Sequence, residues 1–149
     1  MLDIHIDDFC KDSALVLKTL YCAFPRRSDV FVEDMMGPDE LDEFGMHSRR
    51  HQSCLASMLW LADEGLIKYN GLIQLEGIDQ AVLTNRAFSL LCSAVPRNLA
   101  ERQATEAHPL PSNIPRVSFI EHMQDALASQ SSQQIRDLMI LFFNRLANA

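Results

Sequence analysis

The chain has 149 residues, 48% hydrophobic and 22% charged, with 13 Lys+Arg against 20 Asp+Glu and a net charge of −7. That length suits one domain, or one with an appendage, able to bury roughly 70% of its unfolded surface without staples. A whole-chain basic footprint of a strong nucleic-acid binder is excluded. Residues 1–48 hold 11 acids and 4 bases, whereas residues 49–92 hold 4 of each and residues 93–149 hold 5 of each, so the whole net charge lies in the first third. The longest apolar run, Leu138 to Phe143, is too short for the roughly 20 residues of a membrane span. The start, Met1-Leu2-Asp3-Ile4-His5-Ile6-Asp7-Asp8, has neither the basic nor the apolar stretch of a signal peptide, so a soluble cytoplasmic protein with no membrane partner is expected. Cys10, Cys22, Cys54 and Cys92 form no CxxC pair and read as free thiols of a reducing compartment.

In chain order, Asp7-Asp8 is a cap for a helix that carries Phe9, Leu15, Val16, Leu20 and Ala23 at helical spacing and stops before Pro25. Val30-Phe31-Val32 is a short apolar stretch, and Glu33 to Met36 gives one or two helical turns ended by Gly37-Pro38. Asp39, Glu40, Asp42 and Glu43 make an acidic loop or short capped helix. A helix from about Met46 to Glu64 puts Cys54, Leu55, Met58, Leu61 and Ala62 on one face, with Gly65 as its left-handed cap. Leu66 to Tyr69 is a strand by composition. Asn70-Gly71 signals a type I′ turn into Leu72 to Leu75, unless residues 70–77 form a longer tip. Ala81-Val82-Leu83 is again apolar, and Thr84 caps a helix over about residues 85–94 with Ala87, Phe88, Leu90 and Leu91 inward.

Pro96, Pro109, Pro111 and Pro115 punctuate residues 95–117, which read as a linker. Ser118-Phe119-Ile120-Glu121 is a capping box for a helix over about residues 119–129, and Ser131-Ser132 caps a last helix to about Leu146. The apolar stripe of that last helix, Ile135, Leu138, Met139, Phe142, Phe143 and Leu146, is wider than a lone surface helix shows. Two coverings are open: a homodimer interface, or an intramolecular cap over the first helix. The expected fold class is mainly α with a small β-hairpin, divided into a domain over residues 1–94, the linker, and a C-terminal helical pair over residues 118–149 that dimerises or caps.

Two motifs give this order a family likeness. Cys54 to Ile67 runs from a long helix through Gly65 into an apolar pair, and Ala81-Val82-Leu83-Thr84-Asn85-Arg86-Ala87-Phe88-Ser89-Leu90-Leu91 runs from a strand into a closing helix. Both resemble the winged helix-turn-helix domain of bacterial transcriptional regulators, over about 60% of the chain. The resemblance implies a DNA-binding regulator acting as a homodimer on double-stranded DNA, with the helix beginning near His47 in the major groove. Ser48, Arg49, Arg50, Gln52 and Ser53 would then read bases, Lys68, Asn70 and Gln74 would serve at the wing, and Arg26, Arg27 and Arg86 would meet phosphates. The alternative is a module of the same fold that binds no DNA and holds another protein through its acidic first third or its C-terminal helices.

Chemistry-bearing sets are weaker. His47, His51 and Cys54 stand at i, i+4 and i+7, a spacing that permits zinc. Cys54, however, belongs to the apolar face and no fourth ligand is near in sequence, so a core cysteine beside two exposed histidines is expected, with no metal or other cofactor. Met35, Met36, Met46 and Met58 read as core filler. Trp60 lies off the main stripe, against the first helix or the C-terminal segment, or partly exposed. No Walker loop, GxGxxG or GxSxG occurs, and no catalytic set stands out, so no enzyme is expected.

Overall fold

A computed structural model describes residues 3–96 and 116–148. The fold is mainly helical with a small antiparallel sheet. α1 (Ile4–Ala23) begins before Asp7, with Asp3 in the capping position, and ends at the Phe24-Pro25 peptide, which is cis. Chain reversal leads into β1 (Ser28–Phe31) and the short α2 (Val32–Met36). Residues 37–48 form a loop rather than a helix. α3 (Arg49–Asp63) starts at Ser48, whose side chain accepts from the His51 amide. It stops where Gly65 adopts φ +76°, a left-handed conformation that glycine reaches without a steric cost.

β2 (Ile67–Lys68), β3 (Gly71–Ile73) and β4 (Gly77–Leu83) follow. β2 and β3 run along one edge of β4 in a single register (Ile67↔Leu83, Gly71↔Asp79, Ile73↔Gly77), and β1 takes the other edge, with an irregularity between Ser28 and Val30. The hairpin therefore reverses at residues 74–76, where Gln74 has φ +50° and the Glu76 amide donates to the Ile73 carbonyl at 2.9 Å. This corrects the type I′ turn expected at Asn70-Gly71. Pairing with β4 buries Ile67, Ile78, Ala81 and Leu83, and that burial outweighs the local preference of an Asn-Gly pair. Asn70 stays inside the arm and donates its amide to the Asp79 carbonyl.

Gly77 of β4 pairs with Phe31 of β1. A Cβ there would lie 2.3 Å from the Val30 carbonyl oxygen and 3.0 Å from the Phe31 Cα. Both obstacles are backbone, so Gly77→Ala must push the strands apart. A loss of about 1–3 kcal/mol, the usual cost of overpacking, is expected in urea unfolding, with slowed exchange lost first at the β1–β4 amides.

α4 (Asn85–Cys92) starts on Thr84, which accepts from the Ala87 amide. β5 (Ala94–Pro96) pairs with β6 (Arg116–Ser118), so the expected linker is strand at both ends; its remainder, residues 97–115, lies outside the described residues. Ser118 caps α5 (Phe119–Ser129) by accepting from the Glu121 amide, and Ser131 caps α6 (Ser132–Ala147) by accepting from the Gln134 amide.

α1 is the hub, packed against α3, α5, α6 and β4. Phe119 and Phe142 meet edge to face at 5.4 Å, both fully buried. Ile135, Leu138, Met139 and Leu146 are also buried within the one chain, and Phe143 is half-buried against Phe9 at 5.6 Å. This corrects the dimer interface expected on the last helix: α1 already covers that stripe. Asp7 accepts from Arg136 at 3.1 Å and fastens α6 to α1. Among the described residues no helix is long and apolar enough to cross a membrane.

Candidate functional site

The start of α3, the acidic loop before it and the hairpin turn converge on one region. Capping explains the convergence. Ser48 needs an acceptor for its hydroxyl, and Asp39 supplies one at 2.6 Å while also accepting from the Ser48 amide at 3.1 Å. This anchors the loop to the helix start. The loop closes on itself through Asp42, which accepts from the amides of Phe44 and Met46, both at 2.9 Å.

Inside that frame His47 and His51 stack in parallel, with ring centroids 3.6 Å apart and planes within 2°. The Nδ1 of His47 lies 3.0 Å from Asp39, and its Nε2 lies 2.7 Å from Glu76 in the hairpin turn. His51 is 1% exposed; its Nε2 makes no hydrogen bond and has Glu76 Oε2 at 3.7 Å. One ligating atom from each of Asp39, His47 and His51 falls within 4.8 Å of the others. The expected pair of exposed histidines is thus corrected: His51 is buried and His47 half-buried. Cys54 is not a member of this cluster. It sits beside Asp12 and Arg50, where burial first and the Asp12 charge second push its thiol up to about 12, while burial holds Cys10 at about 11. Both are structural thiols.

Hydrogen bonds from the Ser48 side chain and amide hold Asp39 at about 2, below its ordinary 3.8. The bond to Asp39, and after it that to Glu76, raises His47 above its ordinary 6.5 against the effect of partial burial. Asp39 therefore contributes stability that is present above 3.8 and lost as pH falls toward about 2. His47 contributes stability that is complete below 6.5 and lost as pH rises through its raised folded value. In metal-free buffer, the stability gap between wild type and His47→Gln should be widest between pH 3.8 and 6.5 and shrink above. A gap that grows with rising pH would contradict the assignment.

The residues expected to contact DNA divide into free and committed. Arg50 is committed: its guanidinium donates to both oxygens of Asp12 at 2.6 and 2.7 Å and lies 3.5 Å from Asp8. Arg86 is committed too, donating to the Leu146 carbonyl at 2.8 Å and the Glu64 carbonyl at 3.3 Å, so it ties the end of α6 to that of α3. A base-reading role for Arg50 is corrected to a structural one, because a buried carboxylate needs its donor, while Arg86 serves helix-end carbonyls and stays exposed. Ser48 is spent on the cap, Arg27 donates to the Gln80 carbonyl while staying exposed, and Asn70 leans on Asp79. Arg26, Arg49, Gln52, Ser53, Lys68 and Gln74 are exposed, with Gln52 donating to the His47 carbonyl.

Around these stand groups that sequence reasoning undervalued. Phe44 is 80% exposed, Leu41 55% and Met46 54%, all in the acidic loop, and Leu72 and Leu75 are exposed on the hairpin. Met46 is therefore not core filler. Farther along α3, Trp60 packs edge to face on Phe9 and Phe143 yet stays partly exposed, and with Ile6, Ser53 and Ala56 it lines a shallow groove between α1 and α3. The acid-apolar alternation Glu40-Leu41, Glu43-Phe44 was the available signal. No protein-family model matches the chain, and no curated protein or solved structure matches it.

Proposed function

We propose that the chain is a winged-helix-type protein-interaction module whose acidic, apolar-studded face beside α3 holds a basic segment of another protein. The observation that carries this is the loop over residues 39–46, in which Leu41, Phe44 and Met46 stand exposed among Asp39, Glu40, Asp42 and Glu43. A monomer gains nothing by exposing three large apolar side chains in one loop, and such patches mark contact sites. The acidic surround selects a partner of opposite charge and speeds its arrival. The order α1, β1, α2, α3, hairpin, α4, with β4 between β1 and β2, supports the winged-helix reading of the scaffold. A cytoplasmic setting agrees with four free cysteines, two of them exposed.

One observation favours a second reading, the DNA-binding regulator. Arg49, Gln52 and Ser53 lie exposed on the first turns of α3, and Lys68 is exposed on the hairpin. Against it stands the charge. Arg26, Arg27, Arg49 and Lys68 are four exposed cations spread over the α1–β1 turn, α3 and the hairpin, a small set for an affinity that grows with the number of neutralised phosphates. A homodimer in that reading would need a surface other than the α6 stripe.

Fluorescence anisotropy with a lysine-rich amphipathic peptide and with a random-sequence duplex, each over a salt series, separates the two. The module reading expects salt-sensitive peptide binding that Glu40→Lys with Glu43→Lys abolishes, and no duplex binding. Duplex binding that Arg49→Ala removes, without peptide binding, would overturn it.

A further inference from the structure

We propose that His47, His51 and Glu76 form a site for a divalent transition ion of the zinc class, with Asp39 as the residue that orients His47. The two histidines are one helical turn apart, so α3 itself sets their separation. Their Nε2 atoms face one carboxylate, at 2.7 Å from Oε1 and 3.7 Å from Oε2 of Glu76. The second observation is independent of that clustering. His51 Nε2 is buried without a hydrogen bond and points at the same carboxylate. Buried polar atoms are nearly always partnered, and an orphan one calls for an explanation such as an ion.

A metal ion shared by both Nε2 atoms supplies the partner that His51 Nε2 lacks, once the two rings, parallel within 2° and 3.6 Å apart, tilt to aim their lone pairs at it. Two imidazoles and a carboxylate are the donors that suit zinc and its neighbours, at bond lengths of about 2.0–2.2 Å. Donors about 2.0–2.2 Å from one tetrahedral ion lie roughly 3–3.5 Å from one another, so the 2.7 Å pair must open and the 3.7 Å pair close slightly, and Glu76, on the hairpin turn with its side chain 40% exposed, is the member free to shift. Asp39 accepts from His47 Nδ1 and is itself fixed by Ser48, which is the outer arrangement that holds a ligating imidazole in place. The bound ion would pin the hairpin turn to the start of α3, beside the loop that carries Phe44. This inference does not depend on whether that face meets protein or DNA.

Cobalt(II) titration of the full chain, followed by its visible d–d bands and by zinc competition, tests it. One equivalent of cobalt is expected, with a nitrogen-and-oxygen spectrum and no thiolate charge-transfer band, and zinc should raise Tm. Asp39→Asn should weaken binding by about 10–100-fold, and Glu76→Gln by more, with cobalt bands lost and the Tm response gone. Because Glu76 is the most exposed member, Glu76→Gln should leave the metal-free circular dichroism intact and lower the metal-free Tm only slightly, through its lost bond to His47, so its loss of binding reports the site rather than the fold. A wild-type chain that takes up no cobalt, or a Glu76→Gln chain that binds as tightly as wild type, overturns the proposal.

Discussion

Arg50→Ala should lower stability by about 3–5 kcal/mol, the cost of leaving a buried charge without its partner. Asp12 is wholly buried in α1, and both its oxygens are held by the Arg50 guanidinium at 2.6 and 2.7 Å. Removal of the guanidinium strands a carboxylate between α1 and α3, the two helices that frame the candidate site. At about 2–4 °C per kcal/mol for a chain of this size, Tm should fall by roughly 10 °C. Asp12→Asn added to Arg50→Ala should recover part of the loss, because a neutral amide costs less to bury than a charge. Urea and thermal unfolding of wild type and the two variants check this. If Arg50→Ala kept wild-type stability and changed only affinity for a nucleic acid, the side chain would be a reading residue and the ion pair incidental.

Phe142→Ala should cost about 3–5 kcal/mol through lost burial and the cavity left behind. Phe142 is fully buried, edge to face with Phe119 at 5.4 Å and with Phe143 at 5.7 Å. The discriminating feature is concentration. An intramolecular core melts at the same temperature whether the protein is dilute or concentrated, whereas a subunit interface gives a Tm that rises with protomer concentration. Wild type and Phe142→Ala are both expected to melt independently of concentration, the variant about 10 °C or more lower. A concentration-dependent Tm for wild type that Phe142→Ala removes would return α6 to a dimer interface.

Much of the fold was legible because its signals are local. Thr84, Ser118 and Ser131 each cap the helix that follows, and each cap is a sequence-short event, whereas the cap at Ser48, inside the span expected to be helical from Met46, was not read. Gly65 ends α3 for the same kind of reason. What local reading missed was set by partners far away in the chain. The hairpin turn moved from Asn70-Gly71 to residues 74–76 because pairing with β4 fixes the register. The stripe of α6 could have faced a second copy or α1, and only the fold places α1 upon it.

The candidate site was harder still. Two histidines at helical spacing were visible, but their carboxylates come from Asp39 and Glu76, 8 and 29 positions from His47. Arg50 looked like a reading residue because nothing near it in sequence reveals Asp12, 38 positions away. The net charge of −7 first excluded only a basic footprint. Its placement matters more: Glu40, Asp42 and Glu43 stand exposed in the same loop as Leu41, Phe44 and Met46, so the acidity is part of the surface rather than a background.

Whether this face holds a basic segment of another protein is decided at Phe44, the most exposed large apolar side chain among the described residues. A photoreactive phenylalanine analogue at that position, activated in the native cell, should yield one covalent adduct with a protein, attached within a lysine- or arginine-rich stretch and lost when Glu40→Lys and Glu43→Lys are introduced. An adduct with nucleic acid, or no adduct at Phe44 while the same probe at Arg49 captures DNA, would contradict it.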